Sequence, residues 1–302
     1  MSRIHFRGIM PALITPLTAE GKVNAAAVKA LMDDNYAKGV NGFYVTGGTG
    51  EGPLLSADQR RAMIDAAIEA NAGRGKIIIH TGSINSAEAL ELTAYADRAG
   101  ADGISSVPPS FYFRYTLSET FDYYKALADR TSRPVLVYAN PQTATGMDIN
   151  AVVAELLKIE NVCGVKDTRA NYYQMWRLKQ LEGGDINVIN GPDESLLCGL
   201  MMGADGGIGS TYGLMPEWYV ALYQHFRAGE LEAARAMQTK LNRVISVLLG
   251  YAESSVIGPV KEAFRLRGFD AGDAVYPARP FDAERRENFK RDLKAAGFTF
   301  PE

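Results

Sequence analysis

Lys166 stands at the carboxyl end of a short apolar run, Asn161-Val-Cys-Gly-Val-Lys-Asp-Thr168. An ammonium group held among apolar neighbours loses hydration, and its charged form is disfavoured. The neutral amine can then attack a carbonyl carbon to give a Schiff base. By position alone, the commoner reading of such a lysine is a solvated one just beyond a strand. Tyr138 lies in a similar run, Val135 to Ala139, and a phenol beside an amine supplies an acid/base partner for carbonyl chemistry. The stretch Thr46-Gly-Gly-Thr-Gly-Glu51 contributes glycines, which let backbone N–H groups approach a small anion; a carboxylate is the anion expected there. A tight turn without a ligand is its alternative. Neither a P-loop ending nor the G-x-G-x-x-G spacing is present, so the glycines do not read as a nucleotide site. The adjacent acids Asp193 and Glu194 read as a solvated turn, a helix cap or acceptors for substrate hydroxyls.

These residues need elements that bring them to one place. Strand-like runs occur at Gly8–Thr15, Gly42–Thr46, Lys76–Thr81, Gly103–Val107, Val135–Ala139, Val162–Asp167, Ile186–Asn190 and Gly206–Gly209. Helical stretches separate them, punctuated by Asn24, a Ser56/Gln59 capping box, Ser86 with Gly100, and Thr116 with Glu119. Strand–helix alternation predicts a parallel sheet, and eight units favour a closed (β/α)8 TIM barrel over an open, doubly wound sheet. After Gly209 the chain reads as helices: Pro216–Ala228, Leu231–Leu249, Ser254–Arg267 and Ala283–Ala296. One helix completes the barrel, giving a barrel over residues 1–230 and a C-terminal helical extension over 231–302.

In such a barrel the active site lies at the carboxyl ends of the strands. There the sequence places Thr15, Gly48, Thr49, Glu51, Tyr138, Lys166, Thr168, Gly191, Asp193, Glu194 and Ser210. Tyr138 precedes Lys166 by one βα unit, which predicts that both point into one cavity. That location favours the reading of Asp193 and Glu194 as partners of substrate hydroxyls.

The bulk composition is that of an ordinary soluble globular protein, 47% hydrophobic and 22% charged. A net charge of −3 argues against a nucleic-acid surface, and Arg60-Arg61 and Arg285-Arg286 read as solvated helix faces. Cys163 and Cys198 are too few for a disulfide framework and read as small buried residues in a reducing compartment. With only His5, His80 and His225, none beside a carboxylate cluster, no transition-metal site is expected. No run is long enough to cross a bilayer and none reads as a signal peptide, so the cytoplasm is the expected location, with no membrane partner.

Five segments together resemble the dihydrodipicolinate synthase and N-acetylneuraminate lyase superfamily of pyruvate-dependent class I aldolases, nearly end to end. They are Phe6–Pro16, the Gly-Thr-Gly-Glu loop at Gly48–Glu51, Tyr138–Pro141, Gly164–Lys166, and Gly203–Tyr212. The last, with Gly191-Pro192-Asp193-Glu194, looks like the lyase branch. The resemblance implies a homotetramer without metal or organic cofactor. Lys166 would be the Schiff-base lysine and Tyr138 the proton shuttle. Gly48 and Thr49 amides would seat the pyruvate carboxylate, and Thr168, Gly191, Asp193, Glu194 and Ser210 would line the pocket for the sugar-derived tail. Tyr112 is the nearest match to a tyrosine that reaches a neighbouring subunit's site. Two departures stand out. Gly48 occupies the position where the superfamily carries a serine or threonine of the proton relay. The segment Tyr138–Gly146 lacks the arginine with which a synthase holds its second substrate. The expected activity is therefore cleavage of N-acetylneuraminate to pyruvate and N-acetylmannosamine. Its rivals are an aldolase or dehydratase for another 2-keto-3-deoxy acid, a synthase-like enzyme, or an idle keto-acid binder.

Overall fold

A computed structural model describes residues 2–3, 5–109, 113–142, 146 and 148–300. Eight parallel strands form its centre: β1 Gly8–Pro11, β2 Gly42–Val45, β3 Lys76–His80, β4 Gly103–Ser106, β5 Val135–Ala139, β6 Val162–Asp167, β7 Asn187–Asn190 and β8 Gly206–Gly209. Every consecutive pair from β2 to β8 is hydrogen-bonded, and β1 pairs with β8. The seam between β1 and β2 is closed by a parallel bridge, Ala12 to Tyr44, with Leu13 N–H donating to Tyr44 O at 2.9 Å. The chain is thus a (β/α)8 barrel.

Helices follow the strands in turn: α1 Ala25–Ala37, α2 Ala57–Asn71, α3 Ser86–Ala99, α4 Leu117–Ala128, α5 Ile149–Leu156, α6 Tyr172–Lys179, α7 Leu196–Met201 and α8 Pro216–Arg227. Three more, α9 Leu231–Gly250, α10 Ile257–Leu266 and α11 Ala283–Ala295, come after the last strand. The capping boxes at Ser56/Gln59 and Thr116/Glu119 both form. At α3 the cap is Asn85 rather than Ser86, because its side-chain oxygen accepts from Ala87 and Glu88 N–H. Helix α10 begins at Ile257, three residues later than the pattern predicts, which leaves Ser254–Val256 outside the helix.

Two apolar clusters divide the core. The larger packs outward-facing strand residues such as Val45, Ile79 and Val165 against the helices. The smaller fills the barrel's interior with Phe6, Met10, Ala12, Tyr44, Ile78, Leu136, Cys163, Ile189 and Ile208, a packed floor rather than a pore. At roughly 25 cal/mol per Å² of apolar surface removed from water, such burial makes the strand ends a stiff platform.

Three sequence expectations change here. Arg60 is buried, 2% exposed, and donates to His80 O at 2.7 Å and Gly82 O at 3.1 Å; it braces the end of β3 from below instead of facing solvent. Arg286 pairs with the buried Glu262. Cys198 is exposed, since α7 turns Leu196, Leu197, Gly199 and Leu200 inward. Cys163 is buried, and burial pushes its thiol up to about 12.

Candidate active site

Lys166 and Tyr138 are partners in the register of β5 and β6. The register between these strands shifts once: Val135 faces Val162, but Leu136 faces Gly164, so Cys163 is an extra residue. Such a bulge re-aims the side chains that follow it. Without it Lys166 would face Ala139; with it, amine and phenol share the barrel's inner face.

The Lys166 amine sits between two aromatic faces, 4.4 Å from the ring centre of Tyr44 and 4.3 Å from that of Tyr138. The two rings meet edge to face, with centres 6.2 Å apart. Lys166 is only 6% exposed, and among the described residues no carboxylate pairs with it. Tyr44 was not singled out by sequence reasoning, although it is the polar-tipped residue of the apolar strand Gly-Phe-Tyr-Val. Its hydroxyl donates to Ser105 Oγ at 3.0 Å, and burial pushes its phenol well above the ordinary range, with Tyr138 adding to the effect.

His80, at the end of β3, packs edge-on against Tyr138 at 5.9 Å between ring centres. Its Nε2 accepts from Val107 N–H at 3.3 Å, which leaves Nδ1 to carry the proton toward Thr46 O, also 3.3 Å away. Both bonds suit the neutral ring. Burial, then the nearby charges of Arg60 and Lys166, lower the His80 pKa to about 3.

A cavity of about 250 Å³ opens above the amine. Tyr44, Gly48, Thr49, Tyr138, Lys166, Thr168, Gly191 and Ser210 line it, together with Ala12, Ile208, Gly209 and a wall from Ser255, Val256 and Ile257. Thr15, expected at this face, is buried and donates from Oγ1 to Gly50 O at 2.7 Å, so it braces the glycine loop from behind. Among the described residues the Gly48 and Thr49 N–H groups have no acceptor in the protein, as an anion-binding nest requires. The Thr49 and Ser210 hydroxyls meet at 2.7 Å. Thr168 Oγ1 has no partner among the described residues. Gly191 must be glycine, because a Cβ there would stand 2.0 Å from that oxygen. Gly48 is the opposite case: a Cβ would meet nothing within 4 Å.

Asp193 and Glu194 are not among the residues lining the cavity. Asp193 is buried and spends its carboxylate inside the protein: Oδ1 accepts from Ser210 N–H at 3.1 Å, and Oδ2 from Thr211 N–H at 2.6 Å and Thr211 Oγ1 at 2.7 Å. Burial raises its pKa, while the Thr211 and Ser210 bonds oppose that rise. These bonds tie Asp193 to Ser210, which lines the cavity. Glu194 is exposed on the short turn Asp193–Ser195. Tyr112 lies outside the described residues. The wall at Ser255–Ile257 was not anticipated; its only sequence signal was an apolar pair, Val256-Ile257, at a helix start.

Fold and site together define a (β/α)8 barrel with a buried lysine at the carboxyl ends of its strands, set between two tyrosines and beside a glycine loop whose Gly48 and Thr49 N–H groups have no acceptor among the described residues. The chain belongs to the dihydrodipicolinate synthetase family, whose model matches residues 5–296. It is 36% identical over 276 residues to an N-acetylneuraminate lyase of Rhizobium meliloti (strain 1021), covering 91% of this chain and 90% of that protein. The structure of Proteus mirabilis N-acetylneuraminate lyase superposes with a TM-score of 0.91 at 29% identity, covering 97% of this chain and 99% of that one. A prophage protein of the dihydrodipicolinic acid synthase family from E. coli K12, solved in complex with pyruvate, superposes with a TM-score of 0.90 at 29% identity, covering 97% of this chain and 99% of that one.

Proposed function

We propose that this protein is a pyruvate-dependent class I aldolase whose substrate is N-acetylneuraminate, cleaved to pyruvate and N-acetylmannosamine. The observation that carries the reading is the Lys166 amine, buried between Tyr44 and Tyr138 without a carboxylate partner among the described residues and facing a cavity with free amide donors. The kinship with N-acetylneuraminate lyases at 29–36% identity supplies the substrate.

The Lys166 amine adds to the C2 ketone of the open-chain acid, and the resulting carbinolamine, once its hydroxyl takes up a proton from solvent, loses water to give an iminium. The Gly48 and Thr49 N–H groups hold the adjacent carboxylate. Tyr138 takes the proton of the C4 hydroxyl as the C3–C4 bond breaks, and the bonding electrons pass into the iminium to form an enamine. The aldehyde product leaves. Tyr138 passes that proton on to C3 of the enamine, and hydrolysis of the restored iminium releases pyruvate, the lysine amine and the proton taken up from solvent. Thr168, Gly191 and Ser210 border the space for the tail, Asp193 acts on it through Ser210, and Glu194 is assigned to its outer end. The chemistry calls for no metal or organic cofactor.

Gly48 favours a second substrate, another 2-keto-3-deoxy acid, because the relay hydroxyl is missing and the space beside it is open. A turnover screen of N-acetylneuraminate beside several such acids separates the two. Release of pyruvate from another acid but not from the sialic acid defeats the first substrate. Absence of any borohydride-trapped pyruvate on Lys166 defeats the aldolase.

We further read residues 1–230 as the barrel unit, 231–302 as its helical extension, and the assembly as a cytoplasmic homotetramer. The stacked, exposed Tyr173 and Trp176 on α6 and exposed Met201 on α7 support a subunit contact there, and Tyr112 is assigned to a neighbouring subunit's site. The unpaired thiols suit a reducing compartment. Sedimentation of the wild type and of Trp176→Glu tests the assembly; a wild-type monomer removes it.

A further inference from the structure

The glycine loop and the C-terminal extension meet at a buried ion pair that the mechanism above does not use. Lys261 Nζ lies 2.7 Å from Glu51 Oε2, with the side chains 1% and 5% exposed. The same ammonium donates to Thr15 O at 2.9 Å and Asp273 O at 2.8 Å, and Glu51 Oε1 accepts from Val275 N–H at 2.7 Å. Burial lowers the Lys261 pKa, and the Glu51 charge opposes that shift. A buried ion pair is weak support for stability, since an apolar pair of similar volume often serves as well. Its position suggests what else it does.

Glu51 adopts a left-handed conformation, φ 56°, and so does Thr46 at the other end of the loop, φ 57°. For non-glycine residues this backbone is strained and persists only where the surroundings hold it. Thr46 is held by its Oγ1 donating to His80 O at 2.8 Å; Glu51 is held by Lys261 and Val275. Between these two anchored points lie the N–H groups of Gly48 and Thr49, which have no acceptor among the described residues. Lys261 stands four residues after Ile257 on α10, hence on the same helix face, and Ile257 lines the same cavity as Gly48 and Thr49.

We propose that Glu51 and Lys261 are positioning residues whose ion pair fixes the carboxylate seat at Gly48–Thr49 against the α10 wall, so that the C-terminal extension sets keto-acid affinity. This rests on the reading that the keto-acid carboxylate binds those two amides. Neither side chain touches the substrate; both act through the loop backbone.

The test titrates pyruvate against borohydride trapping on Lys166 in the full-length protein, alongside kcat, KM and thermal melting. The variants are Glu51→Gln, Lys261→Met and the double substitution. Glu51→Gln is nearly isosteric and keeps an acceptor for Val275 N–H, so it carries the test if Lys261→Met fails to fold. The expected result is a pyruvate half-saturation raised about tenfold in Glu51→Gln, with kcat at saturation within about threefold of wild type. In the double variant the melting temperature recovers while the half-saturation does not. A folded Glu51→Gln with wild-type half-saturation overturns the proposal, as does a double variant that regains both properties together. A wild type that traps no pyruvate instead overturns the Schiff-base function, and this proposal with it.

Discussion

Tyr138 and Lys166 face one another because β6 carries one residue more than β5 between the pair Val135–Val162 and the pair Leu136–Gly164. The extra residue, Cys163, points into the barrel floor. A one-residue deletion there would turn the lysine away from the phenol and into the helix layer.

Tyr138→Phe keeps the ring face over the amine and removes only the hydroxyl. Pyruvate trapping on Lys166 is expected to persist, while kcat for cleavage falls about 10²–10⁴-fold, the range for loss of a positioned acid/base. Peptide mass mapping beside steady-state kinetics checks this. Equal loss of trapping and turnover would mean that the phenol serves Schiff-base formation as well.

Lys166→Ala is expected to fold, since it removes an amine with no ion-pair partner among the described residues, and to lose both the borohydride adduct and all cleavage above background. An adduct on any other lysine would refute the assignment.

Gly48→Ser should be tolerated, because its Cβ meets open space and Gly48 does not sit at positive φ. The melting temperature is expected to stay within about 2 °C of wild type. The new hydroxyl sits where the proton relay lacks one, so kcat should rise severalfold without a matching change in KM. A melting temperature lowered well beyond that margin would show that the loop depends on glycine there.

His80 gives the protein an acid-side liability. Its pKa in the fold is about 3, below the ordinary value of 6.5, so the unfolded chain binds the proton more readily than the folded one. The stability His80 contributes is therefore complete above pH 6.5 and is lost as the pH falls from 6.5 toward 3, by up to about 1.4 kcal/mol per pH unit. Denaturant titrations of wild type and His80→Gln between pH 7 and pH 4 should show the wild type losing stability faster. Parallel curves would mean that the ring is protonated inside the fold.

Asp193→Ala leaves Ser210 N–H, Thr211 N–H and Thr211 Oγ1 without their acceptor. Thr211 Oγ1 keeps the Tyr219 hydroxyl as a partner, but each backbone donor left unsatisfied costs about 1–3 kcal/mol, so a clear drop in stability is expected, together with a raised KM for the sugar acid as Ser210 loses its anchor. Unchanged stability with a raised KM would return Asp193 to direct substrate contact.

The barrel was legible because eight apolar runs recur at βα spacing and seven of the eight begin and end within one residue of their expected bounds; β1 is the exception that stops short, at Pro11, with only the Ala12 bridge to Tyr44 beyond it before the chain continues as loop to Thr15. Lys166 and Tyr138 were legible from their place at strand ends. What pattern cannot carry is consumption of polar atoms by distant partners. Asp193 reads as an open acid until Ser210 and Thr211 close around it, and Arg60 reads as solvated until the carbonyls of His80 and Gly82 appear beneath it. Ser255–Ile257 lie more than 80 residues beyond Lys166, so no local signal ties them to its cavity.

One side of the pocket is supplied by a helix that follows all eight βα units. During synthesis, amino terminus first, Lys166 and both flanking tyrosines leave the ribosome before that side exists. A nascent or truncated barrel would hold its amine in an open-sided bowl of water, and the protein would acquire a keto-acid pocket only when its final helices dock.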